Sequence, residues 1–415
     1  MQDKNVQTLK GFRDFLPPEK KARDFVKAKI TEVFELYGFE PIETPTLEYA
    51  SLLLGKYGEE ADKLVYSFKD RGDREIALRY DQTVPTSRIL YQYQNELPKY
   101  FRRYQIQNVF RADKPQKGRY REFTQCDCDI FATKSTIADA ELLAVYYSVY
   151  KSLGINSIKL VINDRQTLID TLSPFAQSAN VEVLSVIQTI DKLDKLSSDE
   201  VITELVKKGF SQEAASKTLS AIKSAKMSAN LEEIVKNTIA LGVEESAIEF
   251  RPTLARGLDY YTGMIFEGVI PEYLVGSVGG GGRYDNLIGQ LSGKDISATG
   301  FAIGFDRTVE AVQQLNLLPK EATNSAQILV TIFDQNSLEK TLGIASKLRS
   351  NNLKVEVYPE LDKLGKQFKL ANQKNIPFVI VVGESEIQQN KVQLKNMQTG
   401  DQELLTVDEV IKKLK

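Results

Sequence analysis

The chain has 415 residues, of which 42% are hydrophobic and 27% are charged, with a formal net charge of −2. This length is typical of two or three globular domains. The nearly balanced charge does not indicate nucleic-acid binding by the molecule as a whole, so such a role has to depend on local basic patches.

Histidine is absent from the sequence, and this absence excludes whole classes of chemistry. It removes Ser-His-Asp and Cys-His triads, histidine general bases and histidine metal ligands. The only two cysteines, Cys126 and Cys128, exclude a disulfide framework and argue against a structural zinc site. We expect a cytoplasmic protein without a membrane helix, because the compartment should be reducing and no apolar run is long enough to span a bilayer.

The first predicted element is a helix over residues 18–37, with Phe25, Ile30 and Val33 on its apolar face. Gly38 stands where the helix should end. The prolines within residues 39–48 favour an irregular extended segment after it.

Short strands and helices are predicted between residues 63 and 154. Strand signals cover residues 64–68, 75–79, 105–110 and 122–130, and helix signals cover residues 83–96 and 138–153. The strands at 105–110 and 122–130 flank a loop with Pro115 and Gly118, which predicts a long hairpin.

Residues 166–242 have a helical pattern rich in Lys, Glu, Ser and Ala, and we interpret them as an inserted helical subdomain. Strand signals precede it at residues 158–162 and follow it at residues 248–252 and 264–271. A glycine cluster at residues 276–282 comes next, and then a strand–helix junction at residues 299–307.

A polar linker at residues 319–325 precedes a different pattern. Strands are predicted at 328–333, 353–358 and 378–382, alternating with helices at 337–350 and 361–374. This order predicts a small parallel or mixed sheet with helices on both faces. The expected fold class is therefore α+β: a domain over residues 1–320 built on an antiparallel sheet, and an α/β domain over residues 326–415.

The hairpin carries the densest set of chemical groups. Arg111 should lie at the end of one strand, and Arg121, Phe123 and Gln125 should share a face of the other. Guanidinium groups beside an aromatic ring suit a nucleotide, because arginine pairs with phosphate and the ring stacks on the base. A solvated cationic hairpin with Phe123 in the core is the alternative.

Gln125, Asp127 and Asp129 should point to the same side of their strand, which indicates a pocket for a polar ligand or, alternatively, a solvated face. Cys126 and Cys128 should then face the other layer as small buried side chains.

Residues 256–262, Arg-Gly-Leu-Asp-Tyr-Tyr-Thr, place an arginine and two tyrosines before an apolar strand. The tyrosine hydroxyls can donate to or accept from a small polar ring. A local Arg256–Asp259 ion pair is the alternative. The glycines at 279–282 would let a ligand approach the backbone, and Arg307 would reach a terminal phosphate or simply lie at the surface.

Taken in order, these segments resemble the class II aminoacyl-tRNA synthetases, and within that class the histidyl-tRNA synthetase family. Residues 38–48, 110–123 and 300–307 resemble the three class motifs, with Pro45 as a dimer-interface proline. Residues 10–17, 115–121 and 256–262 resemble segments specific to the family. The resemblance extends over essentially the whole chain, including the helical insertion and a C-terminal anticodon-binding domain.

The resemblance implies a role for each matching residue. ATP would be bound by Arg111, Asp113, Arg121, Phe123 and Arg307. Histidine would be bound by Asp81, Gln82, Thr83, Arg111, Gln125, Asp129, Arg256, Tyr260 and Tyr261. Arg111, Arg256 and Arg307 would be catalytic, with Arg256 bridging the histidine carboxylate and the α-phosphate in place of a metal ion that is usual in the class.

The implied reaction activates L-histidine with ATP, whose phosphates carry Mg²⁺, and transfers the histidyl group to the 3′ end of tRNA(His). The implied assembly is a homodimer. A local basic patch would then offset the net negative charge of the chain where the RNA binds. The candidates for this patch are Lys99, Arg102, Arg103, Lys114, Lys117 and Arg119.

Two other hypotheses stay open. One is a non-catalytic relative, such as a regulatory subunit of ATP phosphoribosyltransferase, although such paralogues lose segments that are present here. The other is a synthetase for another amino acid, which the Tyr260-Tyr261 pair disfavours.

Overall fold

The computed structural model describes residues 6–55, 63–115, 120–256, 261–293, 295–319 and 326–415. The chain divides into two compact units. The larger unit comprises residues 1–14 and 26–317, and the smaller unit comprises residues 15–25 and 318–415. Within the described ranges, no helix is both long and apolar enough to cross a lipid bilayer.

The elements up to residue 317 are numbered in chain order. Strands β1 to β11 are Glu40–Pro41, Leu47–Tyr49, Ser67–Lys69, Glu75–Leu78, Arg102–Phe110, Glu122–Phe131, Lys159–Asp164, Ile248–Phe250, Met264–Val269, Gly279–Arg283 and Ala298–Gly304. Helices α1 to α11 are Pro17–Leu36, Ala50–Leu53, Thr83–Gln92, Thr136–Ser152, Arg165–Ser178, Val183–Ile190, Ser198–Lys207, Gln212–Lys223, Ala229–Ala240, Leu287–Ser292 and Phe305–Gln314.

An eight-stranded sheet organises the larger unit, in the order β1-β5-β6-β11-β10-β9-β7-β8. Its pairs are antiparallel except at the two edges, where β1 runs parallel to β5 and β7 runs parallel to β8. A separate small sheet has the order β2-β4-β3. The α+β fold class with an antiparallel sheet is therefore confirmed.

The predicted hairpin is present, and its first strand is longer than expected. Strand β5 begins at Arg102, and Phe110 lies opposite Glu122 in the register with β6. The sequence pattern predicts a start at residue 105. Arg103 is instead fully buried, opposite Asp129 in the neighbouring strand.

The glycines at 279–282 form most of the interior strand β10, which the sequence analysis does not predict. Glycines carry no hydrophobic periodicity, so the pattern could not reveal a strand. A Cβ atom on Gly281 would lie 2.0 Å from the Gly300 carbonyl oxygen, and one on Gly282 would lie 2.3 Å from the Met264 carbonyl oxygen. The absence of side chains therefore lets β10 lie close to both neighbouring strands.

Residues 165–240 form helices α5 to α9. Helices α5 to α8 pack around a buried apolar cluster that includes Leu168, Ile187 and Leu205, whereas α9 packs against α4. Serine residues cap three of these helices. The hydroxyl oxygens of Ser197, Ser211 and Ser228 each accept a hydrogen bond from a backbone N–H in the first turn that follows. Such caps satisfy donors that would otherwise have no partner at the helix start.

The smaller unit contains strands β12 to β16, at Ile328–Val330, Val355–Val357, Phe378–Val381, Val392–Asn396 and Gln402–Leu405, and helices α12 to α15, at Leu338–Ser350, Leu364–Gln373, Glu384–Gln388 and Val407–Leu414. Its sheet has the order β13-β12-β14-β15-β16. Strand β12 runs parallel to β13 and β14, whereas β15 runs antiparallel to both β14 and β16. Of the two forms predicted, parallel or mixed, the sheet is therefore mixed.

One residue of the larger sheet is strained. Ala132 follows β6 with a φ of 64°, a left-handed conformation that disfavours a side chain. We expect Ala132→Gly to raise the free energy of unfolding by about 1 kcal/mol, because glycine adopts this conformation without the steric cost. Calorimetric melting would measure the change.

Gly38→Ala is the matched control for that substitution. Gly38 has a φ of 73°, and a Cβ atom there would meet no heavy atom within 4 Å. The substitution should therefore lower stability by about 1 kcal/mol through backbone strain alone. A change of the same sign in both variants would contradict the explanation.

Candidate active site

Two cavities adjoin near the middle of the eight-stranded sheet. The larger has a volume of about 690 Å³ and the smaller of about 340 Å³, both in the range of small-molecule sites. Five residues line both cavities: Arg111, Gln125, Arg256, Gly280 and Ala302. The two spaces therefore meet at a wall that carries two guanidinium groups.

Arg111 lies just beyond the end of β5, as the hairpin predicted, and aromatic rings hold its guanidinium. The guanidinium carbon lies 4.4 Å from the centre of the Tyr80 ring and 5.1 Å from that of Phe123. Arg111 Nε also donates to the carbonyl oxygen of Tyr80 at 3.2 Å. These contacts orient the charge at the junction of the cavities.

Arg256 holds the other guanidinium at that junction. Its φ is 47°, and Nη1 donates to the Phe266 carbonyl oxygen at 2.8 Å and lies 3.6 Å from Glu267 Oε1. A Cβ atom on Gly280 would lie 1.9 Å from Nη1. It would also lie 2.3 Å from the Phe266 carbonyl oxygen, and because that backbone atom cannot move aside as a side chain can, position 280 requires glycine. Asp259 and Tyr260, which the sequence analysis also names, both lie outside the described ranges.

Arg307 lines the far part of the larger cavity from the first turn of α11. Its Nη1 donates to the Ser277 carbonyl oxygen at 2.7 Å. The preceding residue, Asp306, forms an ion pair of 2.6 Å with Arg13. The guanidinium carbon of Arg13 also lies 3.2 Å from the centre of the Tyr120 ring. Arg13 therefore supports this cavity, a role that the sequence pattern alone did not indicate.

The smaller cavity collects most of the residues that we had assigned to an amino acid ligand. Asp81, Thr83, Gln125, Asp129 and Tyr261 all line it. Its wall also includes Asp127, as the alternation with Gln125 and Asp129 along β6 predicts. Tyr80 and Tyr284 are further wall residues that the sequence analysis does not name. No local signal indicated Tyr284, which reaches the site from the segment after β10.

Asp129 is held in place by buried partners. Its Oδ2 lies 2.7 Å from Nη2 of Arg103, and the Tyr284 hydroxyl donates to Oδ1. On the other side, a Cβ atom on Gly300 would lie 1.8 Å from Oδ1. Because Arg103 is fully buried behind Asp129, it belongs to this pair, and our expectation that it contributes to an exposed basic patch was wrong.

Gln125 and Asp127 supply unused acceptors. Gln125 Oε1 and Asp127 Oδ1 are buried and accept no hydrogen bond from any donor in the described part of the chain. Burial, together with the charges of Asp129 and Asp81, raises the pKa of Asp127 to about 8, against the opposing effect of Arg103. Leaving such atoms unpaired costs about 1–3 kcal/mol each. They therefore favour a polar ligand that donates to Gln125 Oε1 and exchanges a hydrogen bond with the protonated carboxyl group of Asp127.

Two candidate residues lie outside the cavity walls. Gln82 is fully buried, and its amide donates to the carbonyl oxygens of Gln107 and Gln125 at 2.9 and 3.1 Å. Arg121 Nε donates to the Asp113 carbonyl oxygen at 3.0 Å, and Asp113 itself lines the larger cavity. The structure thus gives Gln82 and Arg121 contacts that support the site and gives them no place in its lining.

The other basic candidates are dispersed. Arg102 pairs with Glu141, and the Lys99 ammonium lies 4.9 Å from the centre of the Tyr100 ring. Lys117 and Arg119 lie outside the described ranges, so the predicted patch as a whole stays a prediction.

The charged side chains of the two cavities suit a zwitterionic ligand in the smaller cavity and a polyanion in the larger one. Arg111 and Arg256 would attract a carboxylate and a phosphate at the shared wall, and Arg307 would attract a further phosphate in the larger cavity. Asp81, which accepts from Val84 N at 3.2 Å at the start of α3, offers a carboxylate to an amine. The arrangement can therefore bring a carboxylate nucleophile to a phosphorylated ligand.

Comparisons with known proteins agree with this chemistry. The model of the histidyl-tRNA synthetase family matches residues 11–308, and that of an anticodon binding domain matches residues 327–415. A histidine–tRNA ligase of Bacteroides fragilis is 40% identical over 445 residues, covering 97% of each chain. That of Cytophaga hutchinsonii is 37% identical and covers 98% of each chain. The crystal structure of histidyl-tRNA synthetase from Nostoc sp. PCC 7120 superposes with a TM-score of 0.86 at 29% identity, covering 99% of this chain and 100% of that one.

The raised pKa of Asp127 predicts a pH dependence of stability. The native state keeps its proton up to about pH 8, whereas an unfolded chain loses it near about pH 4. The free energy of unfolding should therefore fall as the pH rises between these values. We expect Asp127→Asn to lack this fall, so that its stability relative to the wild type increases by up to about 1.4 kcal/mol per pH unit.

Denaturant unfolding between pH 5 and pH 8 would measure this difference. Asp401→Asn, which removes an exposed carboxyl group from the smaller unit, is the control and should leave the pH dependence unchanged. Parallel curves for the wild type and Asp127→Asn would show that Asp127 titrates normally.

Proposed function

The chain belongs to the histidyl-tRNA synthetase family, and we propose that it activates L-histidine with ATP and transfers the histidyl group to the 3′ end of tRNA(His). Its fold and its family make it a class II aminoacyl-tRNA synthetase. We assign histidine to the smaller cavity and ATP to the larger one.

The wall shared by the two cavities is the observation that carries this proposal. Arg111 and Arg256 line both spaces, so each can contact the carboxylate of one substrate and the α-phosphate of the other. A regulatory protein that only binds histidine has no need of the second cavity. The identity to histidine–tRNA ligases over almost the full chain also disfavours the regulatory alternative.

The first reaction agrees with a chain that lacks histidine. A carboxylate oxygen of the amino acid forms a bond to the α-phosphorus, and the bond from that phosphorus to pyrophosphate breaks. Because the nucleophile is already ionised, no general base is needed. Catalysis then depends on positioning and on neutralising the charge of the phosphates.

We propose that the ATP-binding residues act at separate parts of the nucleotide. Phe123 would stack on adenine, with Asp113 beside it, and Arg307 would bind the γ-phosphate. Arg121 would act indirectly, by fixing the backbone of Asp113 through the bond described above.

In the smaller cavity, Asp81 and Thr83 would receive the α-amino group and Arg111 and Arg256 the carboxylate. The imidazole would then meet the acceptor on Gln125 and the carboxyl group of Asp127. Asp129, Tyr260 and Tyr261 would complete its surroundings. Analogues without ring nitrogens would leave these buried groups unpaired, which can cost about 10⁴-fold in specificity.

Magnesium would enter with ATP as part of the nucleotide substrate. Among the described residues, no group of three or more acidic or cysteine side chains could hold a metal ion. Two carboxylates of the larger cavity are also engaged, since Asp306 pairs with Arg13 and Glu267 lies beside Arg256. These residues do not fit a dedicated metal site, so we derive no step from one.

The smaller unit offers a site for an unstacked base of the anticodon. A cavity of about 680 Å³ adjoins the carboxyl ends of β12 and β14, the edge at which α/β sheets bind ligands. Phe333, Phe368 and Lys395 line it, and the Lys395 ammonium lies 4.9 Å from the centre of the Phe368 ring. Aromatic and cationic side chains of this kind suit unstacked RNA bases.

We further propose that residues 1–320 carry both reactions and residues 326–415 bind the anticodon. A homodimer is proposed on family grounds and on the apolar side chains that the small sheet exposes, Leu47, Tyr49 and Phe68. The cytoplasm is the proposed location, because it holds the tRNA substrate.

ATP–pyrophosphate exchange with each standard amino acid tests the function. Exchange that depends on histidine alone would support the assignment, and charging of tRNA(His) would support the second step. Exchange with another amino acid would overturn the assignment of the smaller cavity, and its absence with all of them would favour the regulatory alternative.

Arg256→Ala should reduce histidine-dependent exchange by about 10³-fold and leave the fold intact, because it removes a cation from the shared wall. Arg251→Ala is the matched control, since Arg251 is half-buried, pairs with Glu249 and lines neither cavity. Near-normal exchange by a folded Arg256→Ala variant would refute the assigned role.

Phe333→Ala should raise the KM for tRNA by about tenfold in the charging reaction, because stacking on one base is lost. Pyrophosphate exchange should not change. Lys347→Ala, on α12 outside the cavity, pairs with Asp408 and serves as the control. An unchanged KM for tRNA would show that the base binds elsewhere.

A further inference from the structure

We propose that Tyr150 is a positioning residue for Arg307, acting from beneath the larger cavity. Tyr150 lies on α4 and is fully buried. Its hydroxyl donates to the Val278 carbonyl oxygen at 3.2 Å and accepts from the Thr308 hydroxyl at 3.0 Å. The inference rests on the proposed function, in which Arg307 binds the terminal phosphate of ATP.

Both partners of the hydroxyl are chain neighbours of the groups that orient Arg307. Ser277, which precedes Val278, accepts the hydrogen bond from Arg307 Nη1 at 2.7 Å. Thr308 follows Arg307 in the first turn of α11. Tyr150 therefore joins the segment that receives the guanidinium to the helix that carries it.

A further hydrogen bond closes this connection. The Val278 carbonyl oxygen also accepts from Gly304 N at 2.8 Å. Thr308 Oγ1 lies 3.1 Å from the Gly304 carbonyl oxygen, which is the alternative acceptor for its single proton. Of these groups, only the Tyr150 hydroxyl comes from outside the two cavity-lining segments. The Tyr150 hydroxyl thus fixes the positions of the two segments relative to helix α4.

The neighbouring tyrosine on the same face of α4 fixes the position of Tyr150. The Tyr146 hydroxyl donates to that of Tyr150 at 3.4 Å, and the Tyr146 ring packs edge-on against Phe266 with ring centres 5.0 Å apart. A Cβ atom on Gly268 would lie 2.3 Å from the Tyr146 hydroxyl. The pair is therefore confined on all sides by packed groups.

A phenylalanine would fill the core at position 150 equally well. Burying a hydroxyl costs free energy unless it is hydrogen-bonded. Here the hydroxyl makes its bonds to the two segments that hold Arg307. The ring of Tyr150 fills the core, and its hydroxyl aligns the two segments that hold Arg307.

Equilibrium binding of ATP to the full-length Tyr150→Phe protein tests the proposal. We expect the Kd for ATP to rise about fivefold, which corresponds to the loss of one hydrogen bond. The Kd values for histidine and for AMP should stay within about twofold, because neither ligand carries the phosphate that Arg307 binds. Titration calorimetry of each ligand gives these values.

Tyr104→Phe is the matched control. The Tyr104 hydroxyl is also largely buried and donates to Glu35 Oε1 at 2.9 Å, in a different part of the larger unit. Its removal should lower stability in the same way as Tyr150→Phe and leave ATP binding unchanged. Thr308→Val removes the other hydroxyl and should weaken ATP binding without disturbing Tyr150 packing.

A double-mutant cycle separates positioning from general destabilisation. If Tyr150 acts through Arg307, Tyr150→Phe should not weaken ATP binding further in an Arg307→Ala background. Additive losses in the double variant, or unchanged ATP affinity in both Tyr150→Phe and Thr308→Val, would overturn the proposal. A wild-type protein that binds neither ATP nor histidine would instead refute the proposed function on which it rests.

Discussion

The Arg256 guanidinium lies over the backbone of Gly280, and the arrangement of both cavities depends on that contact. A side chain at position 280 would begin 1.9 Å from Nη1, so only a bare backbone lets the cation reach the wall between the two spaces. Gly300 makes room in the same way for Asp129, whose Oδ1 lies 1.8 Å from the position of a Cβ atom. Glycines on neighbouring strands thus admit one cation and one anion into the centre of the sheet.

Burying charged side chains costs desolvation free energy, which an ion pair within the sheet offsets. Arg103 and Asp129 face each other across β5 and β6, where their separation is 2.7 Å. Removing one partner of a buried pair leaves the other uncompensated, which typically costs about 3–5 kcal/mol. The pair therefore holds Asp129 at a defined place in the smaller cavity, and the raised pKa of Asp127 limits the negative charge beside it. Such fixed polar groups are what selection of one amino acid requires.

Strand alternation made much of the site predictable from the sequence. The period of two along β6 places Gln125, Asp127 and Asp129 on one face, and the hairpin brings Arg111 and Phe123 to one cavity. The rest depends on contacts distant in sequence: Tyr284 reaches Asp129 across the sheet, and Arg13 reaches Asp306 from the start of the chain. Gln82 and Arg121 were assigned to ligands by resemblance, whereas their side chains bond to the backbone that supports the site.

The central claim is that two substrates react across the wall that carries Arg111 and Arg256. A single-turnover reaction with histidine and ATP labelled at the α-phosphate, in the absence of tRNA, tests it most directly. We predict that the label appears in an enzyme-bound histidyl-adenylate, with one pyrophosphate released for each adenylate formed. If the protein binds both substrates but the label stays in ATP, the two cavities do not act together and the account is wrong.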